Sequence, residues 1–385
     1  MILGLLLLAG VSSLICLCSG IGIFIVARTI QGALATFSFQ LPFVIGVEFV
    51  GPHKRLLGSM IIQSFYTMGM VILTGIAYYL RAWRLFQFVT SAPGFLLVIF
   101  FWIFPESPRW LLANGRRHEA LQIVRDIAKR NDVAIAEETL NDLSTDVEDE
   151  KPEHQIENRK YSYLDLLKTP NLRRNTVIFA YCWAIGNLLY FGMSLNPSKI
   201  AGEFYLSFFL SSLIEFPAFI GLVLLLDKLG RRPTQSGTFF ISGAALLAIV
   251  LIPDDFDSAR LVLMLIGKAS VTCVVTVIYL YTSEVYPTVV RTIGVGMGST
   301  CARLGGMVSP FASLYMNDDY KTAVLIGLGS IAVLGGVLTL FLPETANRQL
   351  PDTLEDGEKF GRNPFSRKKK KNEEVPLDGE ILNGT

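Results

Sequence analysis

The sequence is poor in the residues on which most catalytic and metal-binding sites depend. Charged residues make up 17% of its 385 residues, and it has three histidines and five cysteines. The cysteines all lie inside apolar runs, with neither metal-ligand spacing nor the pattern of a secreted disulfide framework. There is no nucleophile elbow and no Walker loop. We therefore expect neither an enzyme nor a protein that binds a metal, a cofactor or nucleic acid.

Apolar residues are abundant instead. They make up 51% of the chain, and the mean hydropathy is +0.46. Soluble proteins rarely reach such values, because their surfaces must be polar. A helix of about 20 apolar residues crosses the hydrocarbon core of a membrane. The runs predict an all-α, polytopic membrane protein with ten spans, at residues 1–19, 22–48, 59–80, 84–104, 174–195, 203–226, 234–252, 260–283, 292–316 and 322–342.

The connecting segments alternate in charge, and this alternation predicts the topology. Basic residues concentrate between the second and third spans, in the central insert, between the sixth and seventh spans, and in the tail. By the positive-inside rule these segments are cytoplasmic, together with both termini and the loop 105–171. Lys368 to Lys371 in the tail could contact membrane lipid or be solvated. The predicted parts are a four-span half (1–104), a cytoplasmic loop (105–173), a six-span half (174–345) and a disordered cytoplasmic tail (346–385).

An internal repeat relates the two predicted halves. Glu48 precedes Arg55 by seven residues, and Glu284 precedes Arg291 by seven residues, 236 residues further along. Pro-Glu pairs close the fourth and tenth spans at nearly the same offset, 238 residues. Such agreement is expected of two parallel halves related by an axis along the membrane normal. Because the first half has four spans and the second has six, we expect two helices to be missing from the front of the chain.

Several motifs resemble those of a transporter family. Pro105-Glu-Ser-Pro-Arg-Trp-Leu111 and Pro343-Glu-Thr345 are found in sugar porters and organic ion transporters. Narrower matches are Arg28-Thr-Ile-Gln-Gly32, Glu215-Phe-Pro217 and Ser283-Glu-Val-Tyr-Pro-Thr288. Together, over about residues 1–350, they resemble the organic cation, carnitine and anion transporters of solute carrier family twenty-two. The resemblance implies a major facilitator fold with about ten of the usual twelve helices. It also implies alternating-access transport of a small organic cation or zwitterion across the plasma membrane.

Three alternatives stay open from the sequence. The chain could be an organic anion transporter. It could be a sugar porter, although the fifth span lacks the Gln-Gln and Ser-Gly-Asn pattern of that family. It could also be a transport-inactive short form that regulates a longer one. The first helix of each half normally lines the cavity, and we expect that helix of the first half to be missing. The oligomeric state, the coupling ion and the direction of transport are not predicted.

Two charged residues lie near the middle of their predicted spans. Glu215 and Arg303 are each about twelve residues in, at a rise of roughly 1.5 Å per residue. Ionisable groups at that depth cost about 2.5–3.5 kcal/mol each and usually serve function. We hypothesise that both bind substrate, as the resemblance implies for an ammonium at Glu215 and a carboxylate at Arg303. The alternative is that they pair with each other or with Lys268 and only hold helices together.

Further residues are assigned to the substrate cavity and to a conformational latch. Trp183 and Tyr190 share a helix face, and the resemblance adds Phe39 and Gln63; for the aromatic residues, ordinary packing is the alternative. Lys268, which lies inside a predicted span, is also assigned to the substrate cavity. Charges at the cytoplasmic face predict a latch of ion pairs between the halves, closed in one state and broken in the other. Its members are Asp227, Gly230, Arg231, Arg232, Glu284, Arg291, Glu48, Arg55, Glu106, Arg109 and Glu344. The Gly-rich run 294–298 predicts close helix packing.

Overall fold

A computed structural model of the chain describes most of the predicted spans. The described residues are 2–49, 55–99, 108, 111, 116–131, 161–195, 204–253, 255–315, 320–346, 348, 351 and 353–360. Within these ranges the secondary structure is helical, with no β-strand. The predicted all-α class is confirmed.

The first four helices correspond to the first four predicted spans. They are α1 (Ile2–Leu14), α2 (Ile21–Phe49), α3 (Arg55–Tyr79) and α4 (Trp83–Ser91). Short 3-10 helices, Ile15–Leu17 and Ala92–Ile99, continue α1 and α4. In the central loop lie α5 (Arg117–Arg130) and the short α6 (Asp165–Lys168).

The remaining helices cover the other six predicted spans and part of the tail. They are α7 (Pro170–Leu195), α8 (Phe204–Leu213), α9 (Glu215–Leu229), α10 (Arg231–Leu251), α11 (Asp257–Val285), α12 (Arg291–Leu314), α13 (Lys321–Thr339) and α14 (Leu354–Lys359). Helices α8 and α9 follow one another directly, and only Ile214 lies between them.

Six segments within the described ranges are long and apolar enough to cross a membrane. They lie in α3, α7, α8 with α9, α10, α11 and α13. Shorter apolar helices cover Leu3–Leu17 and Ile21–Thr36. Every predicted span overlaps a helix of the structure. The total of ten crossings and the division into four parts stay predictions.

The buried core lies among the helices of the second half. Helix α7 packs against α12 and α11, and α10 packs against α13 and α11. Large aromatic side chains fill the space between them: Trp183, Phe179, Tyr281 and Phe239 are at most 1% exposed. In contrast, many leucines, isoleucines and phenylalanines on the outer faces are exposed, as expected of surfaces that meet lipid rather than water.

Glycines on α12 let it approach α7 closely, as the Gly-rich run predicted. A Cβ atom added at Gly298 would lie 2.5 Å from Nε1 of Trp183. One added at Gly305 would lie 1.9 Å from the backbone oxygen of Ala184. Contacts this short would force the two helices apart. The predicted close packing is therefore confirmed, and it extends from the run 294–298 to Gly305.

The two predicted halves meet through α3. This helix packs against α8 and α9, which lie on the other side of the central loop in the sequence. The hydroxyl of Thr67 on α3 bonds to Glu215, and Gln63 on α3 accepts a hydrogen bond from Thr276 on α11. Polar contacts thus join the halves along one face of α3.

The prediction of a tail disordered from residue 346 is wrong for residues 353–360. Thr353 and Asp356 form a capping box at the start of α14. The carboxylate of Glu358 accepts the backbone N–H groups of Asn171 and Leu172, at 3.0–3.3 Å. It thereby satisfies donors in the first turn of α7 that have no partner inside that helix. Such a short polar helix carries no hydropathy signal, because these contacts rather than apolar burial hold it in place.

Candidate functional site

Glu215 lies where α8 meets α9, and its side chain is almost fully buried. The residue is 4% exposed. Its Oε1 accepts a hydrogen bond from the Tyr190 hydroxyl at 2.9 Å. Its Oε2 accepts one from the Thr67 hydroxyl at 2.8 Å. The ammonium nitrogen of Lys268 lies 3.1 Å from Oε1. Both carboxylate oxygens are thus bonded, and the negative charge is balanced.

Lys268 on α11 is equally well enclosed. It is 2% exposed, and besides the bond to Glu215 it donates a hydrogen bond to the Ser194 hydroxyl at 2.6 Å. Its Nζ lies 3.3 Å from the centre of the Tyr190 ring, an arrangement that attracts a cation to the ring face. Ser194 in turn donates to the backbone oxygen of Tyr190 at 2.7 Å. We call these five residues, Thr67, Tyr190, Ser194, Glu215 and Lys268, the buried charge network.

The sequence left two roles open for Glu215, substrate binding and an ion pair that holds helices together. The buried charge network matches the second of these. A buried ion pair is tolerated only where hydrogen bonds satisfy its remaining donors and acceptors, because both charges have lost their water. Glu215 pairs with Lys268 and not with Arg303. In this conformation the pair holds α9 and α11 together, and Thr67 adds α3.

Arg303 on α12 is in a different situation. Its side chain is exposed, and within the described ranges it forms no hydrogen bond or ion pair. Tyr66 on α3 interacts electrostatically with both Glu215 and Arg303, and Tyr279 on α11 interacts with Arg303. Both charges are therefore close enough to one tyrosine to act on it electrostatically. Sequence reasoning missed Tyr66 and Tyr279, because a tyrosine in an apolar run gives no signal of its own.

The other predicted cavity residues lie in different surroundings. Trp183 is fully buried, donates a hydrogen bond from Nε1 to the Thr282 hydroxyl at 3.0 Å, and packs edge-on against Tyr279 at 4.3 Å. In this conformation Trp183 packs between helices, which is the alternative to a position in the substrate cavity. Gln63 is half-buried, and its Oε1 accepts a hydrogen bond from Thr276 at 3.1 Å. The side chain of Phe39 lies outside the described residues.

Part of the predicted latch forms a compact cluster at the N-terminal end of α10, which begins at Arg231. Arg231 donates from Nε and Nη2 to the two carboxylate oxygens of Glu284, each at 3.1 Å. This is the bidentate geometry that favours arginine–carboxylate pairs. The Thr345 hydroxyl donates to the same carboxylate at 2.5 Å. These contacts tie α10, α11 and the segment after α13 together.

Glu344 forms the second element of this cluster. Its carboxylate accepts the backbone N–H groups of Arg231 at 2.9 Å and Arg232 at 3.1 Å. An anion at a helix N-terminus is favoured by the free N–H groups and by the helix dipole. Gly230 precedes the helix with a φ of 90°, and an added Cβ would lie 2.9 Å from the Glu344 carboxylate. Glycine is required there both for the backbone and for the approach of Glu344.

The contacts given above for Arg231, Glu284 and Glu344 join residues of the predicted second half. Arg291 donates to the backbone oxygen of Tyr286 at 3.4 Å. The side chains of Asp227, Glu48, Arg55, Glu106 and Arg109 lie outside the described residues. The ion pairs between the halves therefore stay a prediction, whereas the cluster around Arg231 is visible.

The capping role of Glu344 can be tested by removing its charge. We expect Glu344→Gln to lower the free energy of unfolding by about 1 kcal/mol, because the N-terminus of α10 loses its compensating anion. Thermal unfolding in detergent would measure the effect, with Asp126→Asn, an exposed residue in the middle of α5, as the control. If the two variants unfold at the same temperature, Glu344 does not act as a cap.

Comparison with known proteins identifies the family. The sequence profile described as "Sugar (and other) transporter" matches residues 1–355. The chain belongs to this family. It is 35% identical to an organic cation transporter protein of Drosophila melanogaster, over 89% of this chain and 62% of that protein. It is 33% identical to solute carrier family 22 member 2 of Homo sapiens, over 90% of this chain and 61% of that protein. The chain thus spans about three fifths of these relatives.

Solved structures agree with the family assignment at the level of the fold. The inward-open xylose transporter XylE from E. coli matches with a TM-score of 0.68 and 17% identity, covering 93% of this chain and 81% of that one. The resemblance to organic cation transporters and the major facilitator fold are confirmed. So is the multi-pass membrane location. The family and the fold are those of transporters.

Proposed function

We propose that this chain transports small organic cations or zwitterions across the plasma membrane by alternating access. The proposal follows the names of its relatives, which are organic cation transporters and members of solute carrier family 22. The observation that carries it is the unequal state of two opposite charges around Tyr66. Glu215 is paired and buried, whereas Arg303 is exposed and has no bonding partner within the described ranges.

The charges favour a zwitterion among these substrates. Glu215 and Lys268 cancel one another, so the exposed charge near Tyr66 is the positive charge of Arg303. A guanidinium binds a carboxylate through two parallel hydrogen bonds. The ammonium of the same substrate then contacts aromatic ring faces such as that of Tyr66, which is 43% exposed. A cation without a carboxylate would have to tolerate the repulsion of Arg303.

Alternating access requires contacts that form in one state and break in another. Two hydrogen bonds between the predicted halves fit this role, Thr67 to Glu215 and Thr276 to Gln63. A substrate ammonium at Tyr66, which interacts electrostatically with Glu215, would attract that carboxylate and so disturb its bond to Thr67. Substrate binding would thereby shift the equilibrium between the two arrangements of the halves.

The test is the substitution Arg303→Asp, assayed in proteoliposomes with carnitine, tetraethylammonium and benzoate. We expect uptake of carnitine and benzoate to fall by about tenfold or more, since a charged hydrogen-bonded contact is worth about 1.5–3 kcal/mol. Tetraethylammonium uptake should be kept or raised, because a repulsive charge is removed. Arg303→Lys keeps the positive charge but cannot form two parallel hydrogen bonds to a carboxylate. Its carnitine uptake should lie between that of the unchanged chain and that of Arg303→Asp.

Two results would contradict the proposal. Equal loss of all three substrates at normal amounts of folded protein would mean that Arg303 has a structural role. No saturable uptake of any of the three by the unchanged chain would overturn the transport function itself.

A further inference from the structure

An open surface cavity lies between the start of α7 and the end of α13, and no member of the buried charge network lines it. Its volume is about 500 Å³. Helix α7 contributes Arg173 and Arg174 to its lining, and the apolar lining residues are Pro170, Val177, Ile178, Leu338 and Phe341. The cavity thus combines two positive charges with a largely hydrocarbon wall.

Both guanidinium groups are available to a ligand. Arg173 is exposed and makes no side-chain hydrogen bond or ion pair within the described ranges. Arg174 is also exposed, and its Nη2 donates to the side-chain oxygens of Asn171 at 2.9 Å and Asn175 at 3.3 Å. Guanidinium groups carry five N–H donors each, so most of the donors in the cavity are free to bind an anion.

Within the described ranges, no acid forms an ion pair with Arg173 or Arg174. Glu358 on α14 directs its carboxylate to the backbone N–H groups of Asn171 and Leu172. It is therefore committed to capping α7. Lys168, just before α7, pairs with Asp165 on its own short helix at 2.5 Å. The cavity keeps its positive charge and is ready for an anionic ligand.

The apolar wall shows which surroundings the cavity faces. Val177 is 60% exposed and Phe341 is 46% exposed. On helices of a membrane protein, such side chains face acyl chains rather than water. The arginines lie at the end of α7 that follows the basic loop 105–171, which the positive-inside rule places in the cytoplasm. The cavity therefore lies at the boundary between headgroups and acyl chains on the cytoplasmic side.

We propose that this cavity binds an anionic phospholipid of the cytoplasmic leaflet. The phosphate of the headgroup binds Arg173 and Arg174, and the acyl chains pack against Val177 and Phe341. Basic cavities between membrane helices bind phosphoinositide-type headgroups by this combination of charge and apolar contact. Because Asn171 joins the cavity to α14, the bound lipid also stabilises the start of α7 and the contact with the tail.

The test measures binding without transport, so its outcome does not depend on the proposed function. The purified chain in detergent is titrated with dioctanoyl phosphatidylinositol 4,5-bisphosphate in a calorimeter. We expect saturable binding that Arg173→Gln weakens by about tenfold, as expected from losing one charged contact. Arg174→Gln should weaken it as well. The matched control is Arg130→Gln, an exposed arginine on α5, which should bind like the unchanged chain.

Further arms identify the ligand and the site. Dioctanoyl phosphatidylcholine should bind at least tenfold more weakly, and so should inositol trisphosphate, which lacks acyl chains. Equal binding of inositol trisphosphate would assign the cavity to a soluble phosphate compound and overturn the lipid proposal. So would unchanged binding by both arginine variants. If replacing Lys368 to Lys371 by glutamine abolished binding while Arg173→Gln did not, the tail and not the cavity would bind the lipid.

Discussion

Replacing Lys268 by methionine is expected to destabilise the folded chain by about 3–5 kcal/mol, the cost of leaving one member of a buried ion pair without its partner. The substitution leaves the carboxylate of Glu215 with hydrogen bonds from Thr67 and Tyr190 but without a counter-charge. Methionine is similar in length to lysine, so packing changes little. Thermal unfolding in detergent and the yield of monodisperse protein measure the loss.

A double variant separates charge from packing. Glu215→Gln with Lys268→Met removes both charges, and we expect it to recover more than half of the stability that Lys268→Met loses. Lys228→Met, at the exposed end of α9, is the control and should unfold like the unchanged chain. If the double variant is no more stable than Lys268→Met, the loss of stability comes from altered packing and not from the unpaired charge of Glu215.

The second large effect is expected at Gly305. An alanine there would place its Cβ 1.9 Å from the backbone oxygen of Ala184. Backbone atoms cannot rotate away as a side-chain end can, so α12 must move away from α7. We expect a loss at the upper end of the roughly 1–3 kcal/mol that overpacking costs, together with disturbed geometry at Arg303, two residues earlier on α12.

The control for this prediction lies on the same helix. Gly296 has only the Tyr163 hydroxyl near its hypothetical Cβ, at 4.0 Å. Gly296→Ala should therefore keep or slightly raise the stability, because alanine favours the helix more than glycine does. Equal unfolding temperatures for the two variants would show that α7 and α12 do not approach as closely at Gly305 as the structure indicates.

The sequence was sufficient to predict the helices, because apolar runs of this length have few other structures open to them. It also identified Glu215 and Lys268 as possible partners, since mid-membrane charges stand out against their neighbours. It could not choose between that pair and a pair with Arg303. The choice depends on how α9, α11 and α12 are turned relative to one another, which no local pattern records.

The hydrogen-bond partners of Glu215 and Lys268 could not be predicted from the sequence for a related reason. Thr67 lies 148 residues from Glu215, and Ser194 lies 74 residues from Lys268. Threonine and serine are common in membrane helices, so nothing in the sequence marks these two. The helix α14 was missed because it has six residues and depends on Asn171 for its place. Contacts between distant segments, and not local preference, determine these features.

The position of Glu344 in the chain determines when α10 can receive its cap during synthesis. Glu344 is 113 residues later in the chain than Arg231, whose backbone N–H it accepts. A ribosome adds about 5–20 residues each second, so α10 must wait several seconds for its capping anion. Until then, water at the membrane surface must hydrate its first N–H groups. The second half can therefore reach its final arrangement only after α13 and the segment behind it have been made.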